Sequence, residues 1–217
     1  MVEMRVLGSR EEWLKARANT IGGSDASAIV GMNPYKSNVD LWMEKTGQII
    51  PEDVSEKPCV KFGTEAEYYM RELFKLDFPE YQVFYEENNL WLNDKYPWGH
   101  YSADGWLRDK DGRLGVFENK TTNIVQSMQK EKWSGNHLPD NYYIQCLQGL
   151  LILEADFAVL KARLRYDFKN SIYATVKYYH IERSEVQEDI DYLMQEGGKF
   201  WRYVQSRTKP ALILPNI

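Results

Sequence analysis

The stretch HYSADGWLRDKDGRLGVFENK, His100 to Lys120, decides the fold. Tyr101–Arg108 reads as a strand, Asp109–Arg113 as a polar turn and Leu114–Thr121 as a second strand. Asp111-Gly112 is a hairpin-turn signal. Asp104 lies in the first strand. Glu118 and Lys120 lie in the second, two apart, so their side chains leave the same face. Val116 and Phe117 are apolar, as in a central strand. Carboxylate oxygens on adjacent strands are hard ligands that suit Mg²⁺. A metal held there polarises a phosphate and lowers the pKa of a bound water. A neighbouring lysine can orient that water or help deprotonate it, and it offsets charge growing on the phosphate. By themselves the same residues also describe a solvated sheet face with an ordinary ion pair.

Working outward, 217 residues suffice for one domain with a sizeable core. The net charge of -5 argues against a non-specific DNA coat, so nucleic-acid binding requires a local basic surface. Fifteen tyrosines and seven tryptophans can form core or stack on bases, and composition does not choose between these. Two cysteines, Cys59 and Cys146, exclude a zinc site built mainly of cysteine and a four-cysteine iron–sulfur cluster within the chain. No signal peptide is visible and no apolar run approaches ~20 residues. The expectation is a soluble cytoplasmic protein without a membrane partner.

Residues 10–18 read as a helix, followed by Ile21-Gly22-Gly23-Ser24-Asp25 and a short helix over Ala26–Val30 closed by Gly31. Ser24 suits the N-cap, and a helix N-terminus offers free N–H groups to a phosphate. Arg17, seven residues earlier, supplies a charged partner. Helices follow over Val39–Thr46 and Val60–Leu76, joined by the polar segment 48–58. In the longer helix Phe62, Ala66, Tyr69, Met70 and Leu73 recur at helical spacing and are expected to face the core. Glu65 and Glu67 flank that stripe, and periodicity does not separate them. Gly63, one turn before Glu67, leaves room for something close to its carboxylate.

Tyr81–Glu86 and Asn89–Asn93 read as strands preceding the hairpin, and 121–141 as irregular or weakly helical, with Lys130 and Lys132 beside Trp133 as a small basic-aromatic patch. Asn141–Leu153 is an amphipathic helix carrying Gln145 and Gln148 on one face. Phe157–Tyr166 and Ile172–Ile181 read as an antiparallel pair linked by residues 167–170. Lys161, Arg163 and Arg165 alternate along the first strand, as a charge-protected edge or a phosphate-contacting ridge. Ser184 and Gln187 suggest a capping box opening a last helix striped with Ile190, Leu193, Met194, Gly197, Trp201 and Val204. The fold class expected is α/β: a single domain over 1–217, a mixed sheet of about five strands flanked by helices. Its parts are N-terminal helices at 10–47, a core at about 60–165, and a strand and helix at 172–207.

The ordered set Gly63-x-x-x-Glu67, Asp104, Glu118-x-Lys120 and a helix bearing Gln145 resembles the PD-(D/E)xK nuclease pattern, a restriction-endonuclease-like fold. The opening Arg17…Ile21-Gly22-Gly23-Ser24-Asp25-Ala26-Ser27 is similar to the YqaJ-like viral recombinase branch, to which phage lambda exonuclease belongs. The resemblance covers about residues 10 to 165. It implies a Mg²⁺- or Mn²⁺-dependent exonuclease that digests one strand of a double-stranded DNA end 5′ to 3′, leaving a 3′ overhang for a single-strand annealing protein. It further implies Asp104 and Glu118 as metal ligands with the backbone carbonyl of Asn119, Glu67 as a third carboxylate, and Lys120 acting on the attacking water. Gln145 would support the site, and Arg17 and Ser24 would hold the terminal 5′ phosphate. Lys161, Arg163, Arg165, Lys130 and Lys132 are candidate DNA contacts. Some relatives form a toroidal trimer, so a homo-oligomer is a further implication. Family members often carry proline before the metal-binding aspartate; this chain has Ala103. A structure-specific endonuclease on the same fold, or a catalytically silent DNA- or protein-binding module, are the competing readings.

Overall fold

The computed structural model describes residues 1–125, 127–168 and 171–214. The elements are β1 (Val2–Val6), α1 (Arg10–Ala18), α2 (Gly23–Ile29), α3 (Asn38–Lys45), α4 (Pro58–Asp77), β2 (Gln82–Phe84), β3 (Asn89–Asn93), β4 (His100–Tyr101), β5 (Gly105–Arg108), β6 (Leu114–Asn123), α5 (Ser127–Glu131), α6 (Asp140–Leu153), β7 (Phe157–Phe168), β8 (Ser171–Glu182) and α7 (Gln187–Gln205). Two sheets form. The larger has the order β2-β5-β6-β7-β8, with β6 and β7 parallel and the other pairs antiparallel. A parallel pair needs a long crossover, and α6 supplies it. The smaller antiparallel sheet, β1-β3-β4, was not anticipated, although Val2-Glu3-Met4-Arg5-Val6 alternates at period two.

Alternation along β6 sorts its side chains between two cores. Val116 packs in the larger core with α2, α3, α6 and α7. Phe117 faces the other way, against Phe74 of α4 at 4.5 Å between ring centroids, with Leu107, Phe157 and Val159 around it. Helix α6 is buried nearly all round, from Cys146 through Leu153. A helix that is apolar on every side belongs between layers, and α6 sits between the sheet and α2 and α7.

Several expectations require correction. Tyr101–Arg108 is not one strand. Tyr101 pairs with Trp91 in the small sheet, whereas Gly105–Arg108 pairs with β6, and Ser102–Asp104 bend between them. The bend is stable because the Asn89 side chain satisfies both backbone groups of Ala103: Ala103 N donates to Oδ1 at 2.8 Å, and Nδ2 donates to Ala103 O at 2.9 Å. In α4 the buried stripe is Met70, Arg71 and Phe74, while Phe62, Tyr69 and Leu73 are 39%, 67% and 53% exposed. The hydrophobicity pattern misled because charged Arg71 occupies the inward face, where its Nη1 donates to the carbonyl of Asp104 at 2.8 Å.

Ser24 is not the cap of α2. The helix starts at Gly23, because the Asp25 carboxylate reaches back to accept from Gly22 N at 3.4 Å. The capping box at Ser184 does not form. Ser184 lies in a 3-10 turn, and Arg183 is drawn instead to the carbonyls of Leu150 and Ala155 at 2.7 and 3.2 Å, at the end of α6. The apolar stripe of α7 holds, with Ile190, Leu193, Gly197 and Val204 buried. Of the link expected between β7 and β8, Lys169 and Asn170 lie outside the described residues. Among the described residues no helix is long and apolar enough to cross a membrane.

Candidate active site

Strand β5 stops pairing where Gly105 faces Phe117, so from Glu118 onward one edge of β6 has lost its neighbour. An unpaired edge leaves backbone groups to be satisfied by other means. Asp104, on the bend just before β5, supplies one: its Oδ2 accepts from Asn119 N at 2.8 Å. A carboxylate thereby replaces a ladder bond at the place where the two sheets part. Glu67 comes to the same place from α4, and Asp104, Glu118, Lys120, Glu67 and Gln145 line one cavity of about 350 Å³. Glu65 is exposed. The choice that periodicity left open therefore falls to Glu67. Gly63 admits a neighbour, as expected, but that neighbour is β6 itself: a Cβ there would stand 3.3 Å from Thr121 Oγ1.

Glu118 is 1% exposed and tightly held. Its Oε1 accepts from Lys120 Nζ at 2.5 Å and from Gln145 Nε2 at 2.6 Å, while its Oε2 accepts from the Tyr101 hydroxyl. Buried charge requires such partners. Burial together with the adjacent Glu118 raises the Tyr101 phenol above its ordinary range. Tyr101 was not foreseen as a site residue. Nothing local in the sequence singled it out: it is placed by distant segments, and a Cβ at Gly23 or Gly149 would lie 2.8 or 2.9 Å from its ring. Gln148 does not share the site. Its Nε2 is buried against the carbonyls of Ile21 and His100 at 3.3 and 3.4 Å.

The electrostatics favour a cation. Burial, then Glu118 and Glu67, push the Asp104 carboxyl well above the usual range, and burial together with Glu118 raises Glu67. Burial works against the Lys120 charge, but Glu118 and Asp104 outweigh it and raise the ammonium pKa. The side-chain amide of Asn119, which leaves β6 on the opposite face from Glu118 and Lys120, is buried with neither polar atom bonded. Mutually repelling hard-oxygen donors on one cavity suit a divalent cation. Among the described residues no three His, Cys, Asp or Glu side chains are gathered closely enough to cage an ion, and the Glu118 carboxylate is turned toward Tyr101, Lys120 and Gln145.

Arg17 and Ser24 are brought together on the wall of the same cavity. The Arg17 guanidinium lies 4.0 Å over the Trp13 ring, and burial lowers its pKa. The basic ridge divides. Lys161 is 2% exposed, with Nζ donating to Met70 O at 2.9 Å, so it anchors α4 and is not a surface contact. Arg163 and Arg165 line a smaller cavity with Pro58, Cys59 and Phe62. Lys130 and Lys132 are exposed, but Trp133 is 2% exposed and packs on Tyr142 and Tyr179, so the patch has no ring to offer a base.

Comparison with known proteins places this geometry in context. The family model of the YqaJ-like viral recombinase domain matches residues 12–156. The uncharacterized protein YqaJ of Bacillus subtilis (strain 168) is 29% identical over 198 residues, which cover 89% of this chain and 56% of that protein. The chain thus spans a little over half the length of that relative. Among solved structures, the alkaline exonuclease LHK-Exo from Laribacter hongkongensis superimposes with a TM-score of 0.62 at 14% identity, over 91% of this chain and 93% of that one. The same protein in complex with dAMP gives 0.61 at 15% identity, with the same coverage of both chains. A phage-related exonuclease from Haemophilus somnus 129PT gives 0.52 at 12% identity, over 87% and 96% of the two chains. At these identities the solved structures establish the fold.

Proposed function

This chain belongs to the YqaJ-like viral recombinase domain family, and on that premise we propose that it is a metal-dependent deoxyribonuclease that digests a duplex from its 5′ end. The observation that carries the reading is the convergence of Asp104, Glu67, Glu118 and Lys120 at the unpaired edge of β6, on the cavity that Arg17 also lines. Asp104, Glu118 and Glu67, with the Asn119 carbonyl, would hold Mg²⁺, or Mn²⁺ in its place. When bound, the metal supplies Lewis-acid activation of the phosphate and of a water. Lys120, ion-paired to Glu118, provides fixed positive charge for the phosphate being cleaved. Gln145 and Tyr101 fix the Glu118 carboxylate, and Asn89 and Arg71 fix the bend that carries Asp104. Arg17 and Ser24 would receive the terminal 5′ phosphate and so select duplex ends. The product, a 3′ overhang, suits a single-strand annealing protein as partner.

The test is digestion of linear duplexes with 5′ phosphate or 5′ hydroxyl ends, with Mg²⁺ or EDTA, beside a closed circle. Expected is Mg²⁺-dependent loss of linear DNA, an intact circle, and no loss with Lys120→Ala or Asp104→Ala. Nicking of the circle would make the protein an endonuclease, and normal digestion by Lys120→Ala would overturn the assigned chemistry.

A further inference from the structure

Strand β4 is only two residues long, yet His100 on it is 1% exposed and lines the same cavity as Arg17, Ser24 and Ser102. Its two ring nitrogens differ. Nδ1 lies 2.8 Å from the Thr20 hydroxyl, whereas Nε2 is buried with no hydrogen-bond partner. A buried polar nitrogen without a partner is costly unless a ligand satisfies it. Nε2 lies against Gly22, where a Cβ would stand only 2.7 Å away, and Gly22 directly precedes the cavity-lining Gly23 and Ser24. A side chain at position 22 would crowd this ring edge, and glycine has none. If the Thr20 hydroxyl donates to Nδ1, the neutral ring carries its proton on Nε2, as a donor beside a guanidinium. Two donors of that kind in a desolvated pocket describe an anion site.

Resting on the end-directed reading above, we propose that His100 Nε2–H donates a hydrogen bond to the terminal 5′ phosphate and is a determinant of the preference for phosphorylated ends. Neither Arg17 nor Ser24 requires His100 to be where it is, and nothing in the nuclease motif assigns that position a role. Burial, then the nearby Arg17, hold the imidazole pKa down to about 3, so the ring works as a neutral donor in ordinary buffers.

The experiment measures Kd of the full chain for fluorescent duplexes ending in 5′ phosphate or 5′ hydroxyl, in EDTA to prevent cleavage. Two variants separate the ring nitrogens. His100→Asn places a polar group near Nδ1 and none at Nε2. His100→Gln reaches the Nε2 position with an amide donor. The phosphate preference should fall about 10-fold in His100→Asn, the scale of one hydrogen bond to a charged group. It should stay within about 3-fold of wild type in His100→Gln. A folded His100→Asn protein with unchanged preference overturns the proposal, as does a wild type that binds both ends equally. Should His100→Asn fail to fold, a folded His100→Gln protein that loses the preference overturns it as well. Preference intact without any digestion would instead sink the nuclease reading and leave this site standing.

Discussion

Replacing Tyr101 by Phe removes one oxygen and keeps the ring. That ring is 1% exposed and packs against Gly23 and Gly149, so the substitution creates no cavity of consequence. It does take the donor from Glu118 Oε2, on a carboxylate that is itself 1% exposed. A hydrogen bond to a buried charged group contributes about 1.5–3 kcal/mol, and the orphaned oxygen has no solvent to turn to. At 2–4 °C per kcal/mol for a chain of this size, a cost of about 2 kcal/mol lowers Tm by about 4–8 °C. Thermal and urea unfolding of wild type, Tyr101→Phe, Glu118→Gln and the double variant close a thermodynamic cycle. The coupling energy should be at least about 1.5 kcal/mol, because the second substitution takes away the negative charge that the first left without its donor. A Tyr101→Phe protein melting within ~1 °C of wild type, or a coupling near zero, would refute the reasoning that the hydroxyl holds the carboxylate. DNA digestion by Tyr101→Phe should slow, since Glu118 would no longer be fixed from that side.

Ala103→Pro should destabilise by about 1–3 kcal/mol in urea unfolding, because proline removes the N–H that the buried Asn89 Oδ1 accepts from. Gly23→Ala drives a Cβ to 2.8 Å from the Tyr101 ring and 3.0 Å from the Gln145 side chain, two of the three groups that hold Glu118. Its cleavage rate should fall at least 10-fold, the kinetic scale of a displaced catalytic group, at temperatures well below its melting point. Met70→Ala should cost about 2–4 kcal/mol, whereas Leu73→Ala, on the exposed side of α4, should stay within about 0.5 kcal/mol. His100 is neutral in the folded state with a pKa near 3, while the unfolded chain protonates it near 6.5. The unfolded state therefore binds the extra proton between those values, and stability falls as pH drops through that window. The loss from this group between pH 7 and pH 4 is about 3 kcal/mol, and denaturation midpoints of His100→Asn should show a correspondingly shallower acid limb.

Much of the fold was legible because periodicity reports burial directly. Strands β6 to β8, the crossover helix α6 and the last helix follow from alternation and from the 3.6-residue repeat, since each has a face or layer that must leave water. The chemistry-bearing residues were legible as types and spacings: Glu118-x-Lys120 share a face by the geometry of any strand, and carboxylates suit a hard cation. What local pattern could not decide is whatever depends on the partner across a gap in sequence. The sheet switch at Ser102–Asp104 exists because Asn89, 14 residues before Ala103, satisfies the bend. Glu67 rather than Glu65 reaches the site because α4 is rolled by Phe74 against Phe117 and by Arg71 on the Asp104 carbonyl. Lys161 looked like a phosphate contact until α4 was laid over it. Tyr101 and His100 adjoin on the shortest strand and face opposite ways, one to Glu118 and one to Thr20, and no repeat announces a pair of single residues. The sequence alone therefore determined which groups are present and where most of the strands and helices run. Only the tertiary structure decided which of them meet and which side of α4 is covered, because periodicity is a property of neighbouring residues whereas convergence and cover are properties of packing between distant segments.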